Sequence, residues 1–232
     1  MNAGELSTRL LIAEHEGEDS SSVIKQLSSI SMDQLFSDLT NEDSRRAFWV
    51  NCYNAFTQIL IKEKSPNLLS GKSRAAFFSS KNIVIADQFL SLNDIEHGML
   101  RHSSLWWSRG YLKKFFTSDF EKKFRVSLDY RIHFALNCGA NSCPVIRFYE
   151  PSKLDDQLDE AMKSFLSEEV EFNKRTKTVI ASKIFDWYRG DFGGKKGVIN
   201  LLWSQHLIPD NRRIKLRFRK YDWTVLLHKF NA

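Results

Sequence analysis

The sequence predicts an α+β protein in which N-terminal helices precede a mainly antiparallel sheet mixed with further helices. Helices are expected first because apolar residues recur at helical spacing over the first 64 positions. Strands are expected later, where short alternating runs flank turn residues at 173–177. A substantial core is expected because 42% of the 232 residues are hydrophobic, with 18 Phe and 6 Trp among them.

The N-terminal part of the chain is predicted to be helical. Residues 1–44 should form short amphipathic helices that cover the core, and a capping box begins at Ser31. A longer helix should begin near Asp43 or Ser44, both plausible capping residues. It should end at about Lys64, because a proline follows two residues later.

Charge and composition limit the number of domains and the class of partner. No break in composition divides the chain, so residues 45–232 are expected to form one domain on which residues 1–44 pack. Lys and Arg outnumber Asp and Glu by 34 to 28, and this net charge of +6 raises the question of nucleic-acid binding. The excess is concentrated in residues 212–220, where basic and apolar residues alternate as in a charged edge strand. We therefore disfavour nucleic acid as a partner.

The middle of the chain is predicted to contain a strand or tight hairpin at 83–90, followed by a short helix. A second capping box, at Ser91, opens this helix, which carries Glu96 and His97. Residues 103–124 are rich in aromatic residues and lysine, and should form a helix pair or a long loop with one aromatic face.

A buried strand is expected at residues 132–136, where the sequence is Ile-His-Phe-Ala-Leu. It leads into a loop of small residues that contains Cys138 and Cys143. A strand that ends in such a loop can hold a reactive thiol rigidly, and the loop's backbone N–H groups can bind an oxyanion. The same cysteines could instead be buried hydrophobes, a disulfide or metal ligands.

Beyond this loop, helices should alternate with short strands. The predicted elements are an amphipathic helix at 151–166, a hairpin with strands at 170–172 and 178–181, a helix at 182–192, a helix at 198–206 and the basic strand at 212–220.

Two asparagines, Asn51 and Asn54, share one face of the long helix and lie among apolar residues. Each needs hydrogen-bond partners, because a buried amide without them costs on the order of 1–3 kcal/mol. They could bind neighbouring backbone and fix a loop, the thiol loop among the candidates, or they could contact a substrate.

The compartment is inferred from the cysteines and from the first nine residues. These residues lack the basic and apolar pattern of a secretion signal, and no apolar run is long enough to span a bilayer. We therefore expect a cytoplasmic protein with three free thiols and no membrane association. It would be periplasmic or secreted if an export signal has been removed. The oligomeric state is left open.

Several motifs resemble, in order, the family known as domain of unknown function 547. They are Phe-Trp-Val-Asn-Cys-Tyr-Asn-Ala at 48–55, Ser-Leu-Asn-Asp-Ile-Glu-His at 91–97 with Arg101, the run 131–144, Ser-Lys-Ile-Phe-Asp-Trp-Tyr at 182–188 with Asp191, and Tyr-Asp-Trp at 221–223. Together they cover the chain from about residue 45 to its end.

This resemblance implies a fold similar to that of papain-like cysteine peptidases, and therefore a thiol hydrolase. It identifies His97 and His133 as the family's histidines, and Cys138 and Cys143 as its paired thiols. Cys52 stands where the family often has alanine, and we interpret it as a packing thiol.

The first hypothesis is a cysteine hydrolase that acts on a peptide or on another amide or ester. One thiol of the loop would attack as a thiolate, activated by a histidine that a carboxylate or amide orients. On a strand, His133 and Cys138 would face opposite sides, so their pairing needs the loop to turn back. The candidate catalytic residues are Cys138, Cys143, His133, His97 and Glu96. The candidate substrate-binding residues are Asn51, Asn54, Asn137 and Gly139, the last supplying the oxyanion site.

Two alternatives remain at this stage. One is a non-catalytic interaction module whose Asn, His and Cys residues form a buried polar network. The other is a metal site built from the two histidines and the two loop cysteines, although their spacing is unlike that of a common zinc motif. The first hypothesis requires neither a metal nor a cofactor.

Overall fold

The structure is a computed structural model that describes residues 1–230, and it has the predicted α+β class. The α-helices are α1 (Ala3–Glu16), α2 (Ser21–Ser29), α3 (Met32–Asp38), α4 (Glu42–Lys64), α5 (Gly71–Ser79), α6 (Asp119–Phe124), α7 (Leu154–Glu169), α8 (Ile184–Trp187) and α9 (Gly194–Ser204). The strands are β1 (Ile83–Ile85), β2 (Gln88–Leu90), β3 (Glu171–Asn173), β4 (Thr178–Ala181) and β5 (Lys215–Phe218). A π-helical turn spans Asp94–Leu100, and short 3₁₀ helices span Tyr130–Phe134 and Pro151–Lys153.

The helices of the N-terminal part confirm the prediction made from apolar spacing. α1 to α3 lie within residues 1–44, and Ser31 caps α3 as expected. α4 begins slightly earlier than predicted, because the side chain of Asn41 accepts a hydrogen bond from the Ser44 N–H at 2.8 Å. It ends at Lys64, immediately before the proline turn.

α4 is the central element of the molecule. Each of its residues from position 46 to position 61 is buried, since α1 packs on one side and the π-helical turn on another. Its Trp49 side chain donates a hydrogen bond to the Phe124 carbonyl at 3.1 Å and so ties α6 to the core. Although α4 is long, no helix in the described part of the chain is apolar enough over sufficient length to cross a membrane.

The strands form two small sheets rather than one mainly antiparallel sheet. β1 and β2 make the predicted hairpin, and β3 pairs with β4 antiparallel as predicted. β5 joins β4 in parallel, because the chain crosses over through α8 and α9 before it returns. β5 is an edge strand whose Lys215 and Arg217 are exposed, which confirms the prediction for the basic segment.

The predicted strand at residues 132–136 is wrong. The segment forms the 3₁₀ helix Tyr130–Phe134, whose first turn is fixed by the Asp129 carboxylate accepting the Arg131 N–H at 2.9 Å. An apolar run buried on all sides has no period, so its sequence does not distinguish a strand from a buried helical turn. The cysteine loop therefore starts from a helical turn. The strand that was expected to hold this loop rigidly is absent, so another element has to fix the loop.

One other segment differs from expectation. The helix predicted at 182–192 is the single turn α8, because the Gly190 N–H donates to the Arg109 carbonyl at 2.7 Å and the chain bends to make this contact. Of the two alternatives for the aromatic segment at 103–124, the structure has the long loop, with turns over 103–118 followed by α6. Phe115 and Phe116 are 92% and 86% exposed, so this segment is not part of the core.

Candidate active site

A cavity of about 700 Å³ opens beside the π-helical turn. Four of the five predicted catalytic residues line it: Glu96, His97, His133 and Cys138. The fifth, Cys143, is not part of this lining and is 1% exposed. The fold thus brings together residues that are about 40 positions apart in the sequence.

Asp191 is the centre of the polar cluster below this cavity. One oxygen, Oδ2, accepts hydrogen bonds from the Nε of Arg101 at 2.6 Å and from the Nε2 of His133 at 2.8 Å. All three side chains are at most 1% exposed. Burial alone would raise the pKa of Asp191, but the hydrogen bonds from His133 and Arg101 lower it to about 2. Asp191 is therefore a carboxylate at neutral pH.

The tautomer of His133 follows from this partner. A carboxylate only accepts hydrogen bonds, so the Nε2 of His133 carries a proton. Burial lowers the pKa of His133 despite the neighbouring Asp191, which makes the neutral ring the stable form near pH 7. The Nδ1 atom then has a lone pair and no hydrogen-bond partner among residues 1–230. His133 can accept a proton at Nδ1.

His97 differs from His133 because its Nδ1 atom is already occupied. Its Nδ1 lies 2.8 Å from the Nη1 of Arg101, and a guanidinium always donates, so Nδ1 accepts and Nε2 carries the proton. Burial lowers the pKa of His97 to about 4. A neutral imidazole fixed in this tautomer can donate a hydrogen bond from Nε2 but cannot serve as a base there.

The hydrolase hypothesis expected a carboxylate or amide to orient the histidine base, and Glu96 was the candidate carboxylate. Its contacts are different. Its carboxylate accepts hydrogen bonds from the hydroxyls of Tyr188 at 2.6 Å and Tyr53 at 3.2 Å. The Tyr188 ring in turn stacks on His133, with ring centroids 3.9 Å apart and planes 18° apart. Glu96 therefore fixes the ring against which His133 packs, and Asp191 takes the orienting role.

Cys138 and Cys143 form a disulfide, which corrects the expectation of three free thiols. The loop folds back so that the two Cα atoms are 6.2 Å apart, a distance suited to a disulfide. Cys138 is half-buried and lines the cavity, whereas Cys143 is 1% exposed. The Tyr221 hydroxyl lies 3.4 Å from the Cys138 sulfur and 3.2 Å from the Cys143 sulfur. Only Cys138 is accessible to a molecule in the cavity.

The third cysteine, Cys52, is free and fully buried in α4. Burial raises its pKa, so this thiol stays protonated. It lies outside the cavity lining, in agreement with its interpretation as a packing residue.

The asparagines of α4 bind backbone and do not line the cavity. Asn54 donates to the Ala135 carbonyl at 3.0 Å and accepts the Asn137 N–H at 2.8 Å. Asn51 makes the same reciprocal pair with the backbone of Tyr149, at 2.9 and 3.0 Å. Of the two roles left open by the sequence, the structure places both amides in loop fixation. Asn54 supplies the support that a strand was expected to give.

Asn137 and Gly139 are also part of the loop's internal structure. The Asn137 side chain donates to the Pro144 carbonyl at 2.7 Å and accepts the Gly139 N–H at 2.8 Å. Because that N–H is already bonded, Gly139 does not provide the expected oxyanion site. His97 also lines the cavity, and its Nε2–H is a hydrogen-bond donor without a protein acceptor among residues 1–230.

We expect Asn54→Ala to lower the free energy of unfolding by about 2–3 kcal/mol. The Ala135 carbonyl and the Asn137 N–H would both lose their partner while buried, and each loss costs about 1–1.5 kcal/mol, the lower end of the range for a buried polar group. Urea unfolding measures the change, with the exposed Asn82→Ala as control. Equal stability of the two variants would show that Asn54 does not hold the loop.

A metal site does not form from the four residues considered for it. The Nδ1 of His97 and the Nε2 of His133 are bonded to Arg101 and Asp191, and the two sulfurs are bonded to each other. Over residues 1–230, no three His, Cys, Asp or Glu side chains converge as metal ligands.

The sequence hypotheses gave no catalytic or binding role to the residues that organise the cluster. Arg101, Tyr188, Asp191 and Tyr221 all occur in the motifs quoted above, but they are far apart in the sequence. One signal in the sequence could have identified Asp191. A buried histidine needs a hydrogen-bond partner, and Asp191 is a carboxylate that belongs to the same set of motifs as the two histidines.

These features define an α+β protein with a histidine–aspartate pair and a cystine at one cavity. The chain belongs to the family described as protein of unknown function, DUF547, whose sequence model matches residues 36–166. No curated protein and no solved structure matches the chain. The matched region contains both histidines and the cystine, while Asp191 and Tyr221 lie beyond it.

Proposed function

We propose that this protein is a thiol-dependent hydrolase of amide or ester bonds, with Cys138 as the nucleophile and His133 as the base. One observation carries the proposal. The cavity that contains the accessible sulfur of Cys138 also contains His133, whose Nε2–H is fixed by Asp191 and whose Nδ1 is free to take a proton. A thiol nucleophile and a base that a carboxylate orients are the groups used for acyl transfer on unrelated folds.

The disulfide has to be reduced before the reaction. Two equivalents of an external thiol would convert the cystine into two protein thiols and would leave as a disulfide. Cys138 rather than Cys143 would then react, because Cys143 remains buried. The oxidised form is the inactive one in this proposal.

The chemical steps follow from the tautomers of the two histidines. The Cys138 thiol gives its proton to Nδ1 of His133, and the thiolate attacks the carbonyl carbon of the substrate. The developing oxyanion accepts a hydrogen bond from Nε2–H of His97. His133 returns the proton to the departing amine or alcohol, and water then hydrolyses the thioester to release the acid.

A papain-like architecture is proposed together with this activity, as the family resemblance implies. Support comes from a long buried helix, α4, which fixes the thiol loop, and from a histidine–carboxylate pair contributed by other segments. The rival function is a non-catalytic interaction module. The disulfide favours it, since an oxidised Cys138 has no thiolate.

Alkylation of the reduced protein by iodoacetamide at a series of pH values tests the proposal, with mass spectrometry to assign each cysteine. We expect the pKa of Cys138 to lie below the ordinary thiol value of about 8.5, because Asp191 stabilises the imidazolium that forms when His133 takes the proton. Cys143 should react more slowly because it is buried. His133→Ala should return Cys138 to the ordinary value, whereas the exposed His206→Ala should not.

Two outcomes would contradict the proposal. If Cys138 reacts no faster in the folded, reduced protein than in the unfolded chain, the thiol is not activated and the interaction module is favoured. If His133→Ala leaves the reactivity unchanged, His133 is not the base.

A further inference from the structure

Eight Phe, Tyr and Trp side chains line the cavity. The rings that bear on the inference are Tyr53, Trp107, Trp187, Tyr188, Tyr221 and Trp223. Three of them, Trp187, Tyr221 and Trp223, form a cluster with ring centroids 4.7 to 5.5 Å apart. A wall of this kind suits a flat, apolar ligand, because offset and edge contacts between aromatic groups add to the burial of area.

One cation faces the cavity without a carboxylate partner in the described part of the chain. Arg74 extends from α5, and its guanidinium carbon lies 3.9 Å from the centroid of the Trp223 ring. Its Nη1 donates to the Leu68 carbonyl at 2.5 Å, and its other nitrogens have no partner among residues 1–230. The other arginine of the lining, Arg109, pairs instead with Asp186 at 3.5 Å.

The lining has a single carboxylate within the described residues, that of Glu96, and two tyrosine hydroxyls already bond to it. Glu96 makes no ion pair with Arg74 among these residues, and Arg74 is therefore the group of the lining that attracts an anion.

A series of contacts along the wall connects this cation to the reactive sulfur. The Arg74 guanidinium lies over the Trp223 ring, Trp223 packs on Tyr221 at 4.8 Å, and the Tyr221 hydroxyl lies 3.4 Å from the Cys138 sulfur. Two aromatic rings thus lie between the guanidinium and the sulfur along this wall. A ligand that follows the wall from one to the other packs its body on both rings.

We infer that the cavity binds an organic anion with a flat apolar or aromatic body, and that Arg74 holds its carboxylate, sulfonate or phosphate group. The Arg74 guanidinium binds the anionic group while the body packs against Trp223 and Tyr221. If the protein is the proposed hydrolase, this ligand class is its substrate class, and that part of the inference rests on the proposed function. The substrate would be an amide or ester whose scissile bond lies at Cys138 and whose anionic group lies at Arg74, two rings away along the wall. Binding itself needs no thiol chemistry.

Fluorescence titration of the oxidised protein with two probes tests the inference. The anionic probe is 8-anilinonaphthalene-1-sulfonate, and the uncharged probe with a similar body is N-phenyl-1-naphthylamine. We expect Arg74→Gln to weaken binding of the sulfonate about tenfold, or about 1.4 kcal/mol, and to leave binding of the uncharged probe unchanged.

Arg45→Gln is a matched control. Arg45 also lies over an aromatic ring, that of Phe36 at 5.2 Å, and also donates to a backbone carbonyl, but it is outside the cavity lining. It should affect neither probe. Exposed Phe115 and Phe116 could also bind such dyes. In the double variant Phe115→Ser/Phe116→Ser, Arg74→Gln should therefore still weaken binding of the sulfonate and not of the uncharged probe.

The inference is overturned if Arg74→Gln weakens the binding of both probes equally or of neither. It is also overturned if Phe115→Ser/Phe116→Ser abolishes the difference between the two probes in their response to Arg74→Gln. These results are distinct from a failure of the proposed function, since the titration uses the disulfide form. An inactive Cys138 with intact Arg74-dependent binding would refute the hydrolase and leave an anion-binding cavity.

Discussion

Asp191→Asn should lower the free energy of unfolding by roughly 3–5 kcal/mol, the range for removal of one partner from a buried ion pair. Arg101 cannot lose its proton, and its side chain is completely buried. Because both donors bond to the single oxygen Oδ2, an amide oxygen in the same place could still accept both hydrogen bonds, but the amide carries no negative charge. The variant leaves a buried cation without a counter-ion.

Asp186→Asn is the matched control for this experiment. Asp186 is also in an ion-pair cluster, but its partners Arg109, Arg189 and Lys183 are partly exposed, so its loss should change the stability by less than about 1 kcal/mol. Urea unfolding of both variants gives the comparison. A loss for Asp191→Asn no larger than that for Asp186→Asn would mean that Asp191 is not the counter-ion of the site.

The pH dependence of the same measurement has a definite sign. The pKa of Asp191 falls from its ordinary value of 3.8 to about 2 in the folded protein, so its contribution to stability is complete above the ordinary value. The contribution is lost as the pH falls towards 2. The difference in stability between the wild type and Asp191→Asn should therefore narrow over this acid range.

Gly110→Ala should destabilise the protein by about 2–5 kcal/mol, through backbone strain of about 1–2 kcal/mol and steric overlap of about 1–3 kcal/mol. Gly110 has a φ of +90°, and a Cβ atom there would lie 2.0 Å from the Oδ1 of Asp191. The carboxylate would have to move away from Arg101 and His133. We therefore expect Cys138 to lose its activation in this variant as well.

Gly17→Ala is a control that distinguishes the backbone strain of Gly110→Ala from its steric overlap with Asp191. Gly17 has a similar φ of +72°, but no atom lies within 4 Å of an added Cβ, so its replacement should cost only about 1–2 kcal/mol. Thermal or urea unfolding of both variants measures the difference. Equal losses would show that the Asp191 side chain accommodates a methyl group at Gly110.

Local sequence patterns predicted much of the fold. α4 and the β1–β2 and β3–β4 hairpins were predicted because capping residues, prolines and alternating runs act within a few positions. The strand at 132–136 was wrong because an all-apolar run lacks a period. The parallel pairing of β4 with β5 depends on a crossover of more than thirty residues, and no local pattern encodes it.

The site was predicted in part. Glu96, His97, His133 and Cys138 do line one cavity, but their roles could not be assigned from the sequence. The tautomer of each histidine depends on Arg101 and Asp191, and the Asp191 contacts span 90 and 58 positions. The free thiols were inferred from the expected compartment, whereas the disulfide depends on how the loop folds back.

The position of Asp191 has a consequence for how the protein is made. Arg101 and His133 leave the ribosome well before Asp191, so the nascent chain has both side chains but not the carboxylate that they share. Until translation passes this point, burial of Arg101 would be unfavourable, because a cation without a counter-ion is costly to remove from water. The helices of the first 64 residues can pack early, whereas the cluster closes late in synthesis.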